Sequence, residues 1–118
     1  MEIWKSHTKY TSICYNENGL KHRENGPAEI TRDYDGSVIH EKYFYNGKLH
    51  RDDGPAVVIL DEQGKYEHYY IHGSNYNPNG PSCIYYYKDS CEIKKSIYTN
   101  ERGVRHREDG PAFIKYLK

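Results

Sequence analysis

A seven-residue phrase returns along this chain, and it constrains the fold more than any other feature. His-Arg-Glu-Asn-Gly-Pro-Ala occupies 22–28, His-Arg-Asp-Asp-Gly-Pro-Ala 50–56 and His-Arg-Glu-Asp-Gly-Pro-Ala 106–112. A diverged copy, Tyr-Asn-Pro-Asn-Gly-Pro-Ser, lies at 76–82. The glycines of the phrase, Gly26, Gly54, Gly80 and Gly110, are 28, 26 and 30 residues apart. A period of roughly 20–50 residues marks an array in which one supersecondary unit stacks on the next. Neighbouring units then share a continuous surface, which suits binding better than it suits a single catalytic pocket.

The second copy shows what one unit contains. Asp53-Gly54-Pro55 reads as a turn, with Gly54 free to take positive φ and Pro55 leaving it extended. The β-branched run Ala56-Val57-Val58-Ile59-Leu60 follows, then a turn at Gln63-Gly64, where the first copy has Asp35-Gly36. The return run is Tyr66-Glu67-His68-Tyr69-Tyr70-Ile71, and Gly-bounded connections close the units at Asn46-Gly47 and His72-Gly73. Two residues after each phrase glycine stand Ala28, Ala56, Ser82 and Ala112; four after it stand Ile30, Val58, Ile84 and Ile114. Positions two apart share a strand face, so this small-then-Ile pattern defines the buried side. Glu29, Val57, Cys83 and Phe113 define a less uniform opposite side. The pattern predicts an all-β fold: an elongated, twisted antiparallel meander of about eight strands in four stacked hairpin units. It forms a single repeat domain over 1–118, with units near 13–36, 37–64, 65–92 and 93–118 and with 1–12 as an N-terminal cap. The third copy lacks His-Arg, gains Pro78, and has Lys88-Asp89-Ser90 where a turn glycine would fall, so its turn reads as lost.

Composition agrees with strands. Leu, Ile, Val and Phe make only 20 of 118 residues, below the roughly 20% that separates folded from disordered chains when net charge is high. Here net charge is zero, and 14 Tyr supply large half-polar rings. Such rings cover a thin core and keep their hydroxyls wet. Three cysteines, Cys14, Cys83 and Cys91, show no Cys-x-x-Cys spacing, and they read as idle thiols in a reducing compartment. Neither a long apolar run nor a signal-peptide pattern is present, so the expected location is cytoplasmic with no membrane span.

Tyr45-Asn46-Gly47-Lys48-Leu49-His50-Arg51-Asp52-Asp53-Gly54-Pro55-Ala56 resembles a repeat of uncharacterised bacteriophage and giant-virus proteins. It is similar to the MORN repeat, with Arg where that repeat has the Gly after His. The resemblance covers roughly residues 13–118. It implies stacks of β-hairpins that bind proteins or lipids, and a phage-type factor that acts against a host defence protein in the host cytoplasm.

Recurrence singles out the candidate contact residues. His22 and Arg23, His50 and Arg51, and His106 and Arg107 fall at one place in the unit, about 10 Å apart if hairpins stack at two strand widths. Such a row could receive phosphates or an acidic protein edge. It could instead fasten neighbours together, and that scaffold reading is the stronger one, because repeats keep what joins them. Tyr76 and Asn77 of the diverged copy, with Tyr85, Tyr86 and Tyr87, are candidate aromatic anchors for a partner. Nucleophile-elbow, zincin and P-loop motifs are all missing, so no enzyme, cofactor or metal is expected. Zero net charge argues against nucleic acid. The leading expectation is a host-protein inhibitor, for instance of a CRISPR or other defence nuclease. The alternatives are a sponge for a charged small molecule such as a cyclic nucleotide, a MORN-like lipid or scaffold protein, and a homodimer formed through open sheet edges.

Overall fold

The computed structural model describes residues 9–105 and 113–115. It is all-β, an antiparallel meander with no helix among the described residues. One sheet holds eight strands that pair almost in chain order: β1 (Tyr10–Ile13), β2 (Glu29–Arg32), β3 (Val38–Lys42), β6 (Val57–Asp61), β7 (Gly64–His68), β10 (Cys83–Tyr87), β11 (Ile93–Ile97) and β12 (Phe113–Lys115). Four short strands lie outside it as two small hairpins, β4 (Phe44–Tyr45) with β5 (Lys48–Leu49) and β8 (Tyr70–Ile71) with β9 (Ser74–Asn75). The chain spans 58 × 42 × 18 Å, a broad and thin plate.

The small hairpins correct the expectation that Asn46-Gly47 and His72-Gly73 are simple connections. Asn46 and Gly47 have φ of 48° and 82°, and His72 and Gly73 have 47° and 85°. Two consecutive positive φ values make a type I′ turn, whose twist matches the strands it joins. A second row of structure therefore runs beside the main sheet. Backbone bonds tie it together, with Gly47 N–H donating to Lys21 O at 2.8 Å and Gly73 N–H donating to Leu49 O at 2.8 Å.

The register places Ser12, Ile30, Glu41, Val58, Glu67, Ile84, Ser96 and Ile114 in one cross-strand row. The expected small-then-Ile side is buried most fully at Ala28, Ala56 and Ser82, none above 1% exposed, while Ile30 and Val58 are half-buried. Val57 and Cys83 on the opposite side are also buried, so burial is not confined to one face. Residues outside the sheet contribute to this. Cys83 Sγ lies 3.3 Å from Asn75 Oδ1 of β9, and Lys21, bridged to Tyr15, brings its Nζ within 2.6 Å of Glu29.

The turn in the third copy is kept. Asp89 takes φ of 54° in place of a glycine, and Tyr87 N–H donates to Glu92 O at 3.1 Å. Asp is among the few residues that visit this region at modest cost. Gly64 shows a different need. A Cβ there would stand 2.1 Å from Tyr86 O of the adjacent strand, and its φ is 149°. The strand crosses too closely for any side chain.

Candidate partner-binding grooves

The three described phrase loops, at 22–28, 50–56 and 76–82, follow one another along one side of the molecule, successive loops sharing a groove. Arg51 is folded back onto its own loop. Its Nε donates to Asp53 at 3.0 Å and its Nη1 to Pro55 O at 3.2 Å. The guanidinium carbon sits 4.1 Å from the Tyr43 ring centroid. Arg23 repeats the bond to its loop, with Nη1 donating to Pro27 O at 3.3 Å. This gives the phrase glycine its reason and corrects the positive-φ expectation. Positive φ falls at other glycines, among them Gly19, Gly36 and Gly47. A Cβ on Gly54 would lie 2.9 Å from the Arg51 guanidinium carbon, and one on Gly26 would lie 3.1 Å from that of Arg23. Glycine is there so that the arginine can close over it.

The diverged copy does the same with a shorter side chain. Asn77 Nδ2 donates to Pro81 O at 3.0 Å, the bond that Arg23 and Arg51 make to Pro27 and Pro55. Gly80 is correspondingly looser, with Asn77 Nδ2 at 3.6 Å from its added Cβ.

The histidines fasten one copy to the next. Asn46 N–H donates to His22 Nδ1 at 3.0 Å, and His72 N–H donates to His50 Nδ1 at 2.9 Å. With Nδ1 accepting, each ring carries its proton on Nε2, which meets the carboxylate two residues on: Glu24 at 3.0 Å and Asp52 at 3.1 Å. The rings form a ladder. His22 and Tyr45 centroids are 4.5 Å apart, Tyr45 and His50 are 6.2 Å apart, and His50 stacks on His72 at 4.2 Å.

Between successive loops lie half-open grooves. The larger, about 780 Å³, has Arg23, Glu24, Tyr43, Phe44, Tyr45, His50, Arg51, Asp52, Asp53 and His72 in its wall. The next, about 360 Å³, shares Arg51, Asp52 and Asp53 and adds Tyr69, Ile71, Tyr76, Asn77 and Pro78. Arg23, His50, Arg51, Tyr76 and Asn77 thus come together along one edge, with His22 joined through the ring of Tyr45. His106 and Arg107 lie outside the described residues.

Tyr85, Tyr86 and Tyr87 are not part of this edge. Tyr85 packs edge-on against Tyr66 at 5.2 Å with Lys95 Nζ 4.4 Å from its centroid. Tyr86 donates to Glu67 at 2.9 Å, and burial with that bond pushes its phenol well above the usual range. Lys94 Nζ lies 5.7 Å from the Tyr87 centroid. All three are half-buried parts of the sheet.

Sequence reasoning missed the groove floor, Tyr43 and Tyr45, and the acidic rim. One signal was present: Tyr15, Tyr43 and Tyr69 each stand 11 residues before a phrase glycine. Elsewhere, burial pushes the His68 imidazole down and the Cys83 thiol up, and the two meet at 3.8 Å as neutral groups. Among the described residues no group of three His, Cys, Asp or Glu could hold a metal, and no helix is long and apolar enough to cross a membrane. No protein-family model matches the chain, and no curated protein or solved structure matches it.

Proposed function

We propose that this chain is a non-enzymatic protein-binding repeat module that occludes a working surface of its partner. The observation that supports this reading is the contiguous pair of grooves along the phrase loops, lined by Tyr43, Tyr45, Tyr69 and Tyr76. Half-exposed tyrosines on a fixed backbone are efficient anchors, since they offer large contact area at small entropy cost. The likeness to phage and giant-virus repeat proteins directs the proposal to a host defence protein, such as a CRISPR or other defence nuclease, met in the host cytoplasm.

Affinity purification from host lysate with mass spectrometry tests it. The expected result is a stoichiometric protein partner that Tyr45→Ala loses and Tyr86→Phe keeps. A charged small molecule co-purifying in place of any protein would favour the sponge alternative. The bonds of Arg51 to Asp53 and Pro55 O speak against that alternative, because they hold its guanidinium beside a carboxylate that repels a phosphate.

A further inference from the structure

The first two phrase loops fold their arginines back on themselves, Arg51 closely and the exposed Arg23 by one bond, and turn three carboxylates outward, which reverses the partner charge that a row of arginines suggests. The Arg51 side chain is 27% exposed and tied to Asp53, Pro55 O and the Tyr43 face. The side chains of Glu24, Asp52 and Asp53 are 67%, 85% and 87% exposed. The larger groove therefore offers an aromatic floor beneath an acidic rim. An Arg or Lys side chain fits that combination, with its stem on the exposed Tyr45 and its charge among the carboxylates. The smaller groove keeps Asp52 and Asp53 on one wall, but its other wall carries Pro78 and Asn79 and sets Ile71 beside Tyr69 and Tyr76. That second wall suits an apolar side chain.

Resting on the protein-binding reading above, we propose that the partner segment is an extended, polyproline-II-like peptide. It carries a basic residue in the larger groove and a Pro or aliphatic residue three positions away in the smaller one. The spacing comes from the sheet. Successive phrase loops are two strands apart, about 10 Å. A polyproline II helix turns every three residues with a rise of about 3.1 Å, so residues i and i+3 face one way about 9 Å apart. A β-strand puts same-face residues about 7 Å apart and does not match. Tyr-lined grooves that receive a preformed polyproline II segment lose little ordering entropy on binding.

An array of random nine-residue peptides, probed with the full chain, tests the proposal. Peptides with Arg or Lys three positions from Pro or Leu are expected to be enriched, and peptides rich in Asp or Glu depleted. The double variant Glu24→Gln, Asp52→Asn keeps acceptors for His22 and His50 but removes two rim charges. It should bind the enriched peptides about tenfold more weakly with an unchanged melting temperature. Enrichment of acidic peptides, or affinity indifferent to the double variant, overturns the proposal while a partner lost on Tyr45→Ala leaves the protein-binding reading standing. A blank array together with a captured, Tyr45-dependent partner also overturns it. A blank array with no captured partner overturns both.

Discussion

At the scale of single residues, the phrase is a set of mutual fits rather than a display of charge. Arg51 closes over Gly54, bonds Pro55 O and lies on Tyr43. Arg51→Ala removes a charge-assisted bond and a cation–π contact, and should cost about 1–2 kcal/mol, read as a lower melting temperature. Arg51→Lys should recover little, since a point ammonium cannot reach the carbonyl and cover the ring together. A ligand-only role would leave the melting temperature untouched, so the pair of variants separates scaffold from contact. Gly64→Ala is expected to be harsher. Its Cβ would meet backbone, Tyr86 O at 2.1 Å, and no side chain can swing aside to relieve that. A loss of about 3 kcal/mol should appear in urea melts, whereas Gly36→Ala, with open space around it, should show only the cost of its φ of 91°.

At the scale of elements, the histidine joins one small hairpin to the phrase before it. His50→Ala leaves His72 N–H without its acceptor, and amide exchange at His72 should accelerate about tenfold, the equivalent of about 1.4 kcal/mol. His50→Asn places an oxygen near the Nδ1 position and should restore much of the protection. Amide exchange on the long strands β6 and β7 should not change, since their ladder does not pass through His50. The long strands were readable because a β-branched run after Gly-Pro and a Gly-centred turn are local signals. The small hairpins read as connections from sequence, although Asn46-Gly47 is a strong hairpin signal, because strands of two residues carry no alternation to reveal them. His72-Gly73 and Asp89 were harder, because positive φ at a non-Gly residue is set by the surrounding ladder and not by the residue itself. The candidate site was half legible. Recurrence found His50 and Arg51, but that Arg51 folds onto its own loop and the Tyr43 ring depends on contacts the phrase alone does not specify. The acidic rim followed from that choice and so stayed hidden.

At the scale of the whole molecule, an 18 Å plate has little interior, and its stability depends on contacts between neighbouring strands. Among the described residues the buried apolar set is Ala28, Ala56, Val57, Cys83, Ile84 and Ile97. Half-buried titratable groups lie along the sheet, and that makes stability depend on pH. Burial pushes the His68 imidazole down, and burial with the Lys42 and Lys9 charges does the same to His40. Both fold as neutral rings. As pH falls below about 6.5, the unfolded chain takes up these protons before the folded one does. Stability should therefore be flat above neutrality and decline from about pH 6.5 downward, each group contributing at most about 1.4 kcal/mol per pH unit and solvent-accessible His40 less than that. Glu29 adds a second stage. Burial disfavours its charge, but the bond from Lys21 and the field of Lys42 outweigh this and hold its carboxyl below the usual range. Its contribution is present above the unfolded carboxylate pKa and disappears as pH falls beneath about 4.5. Chemical denaturation measured from pH 8 to pH 3.5 should show both stages. His68→Gln should shrink the first to the part that His40 carries and leave the second, while Glu29→Gln should remove the second and leave the first. A wild-type profile that rises on acidification would contradict the half-buried placement of these groups on the sheet.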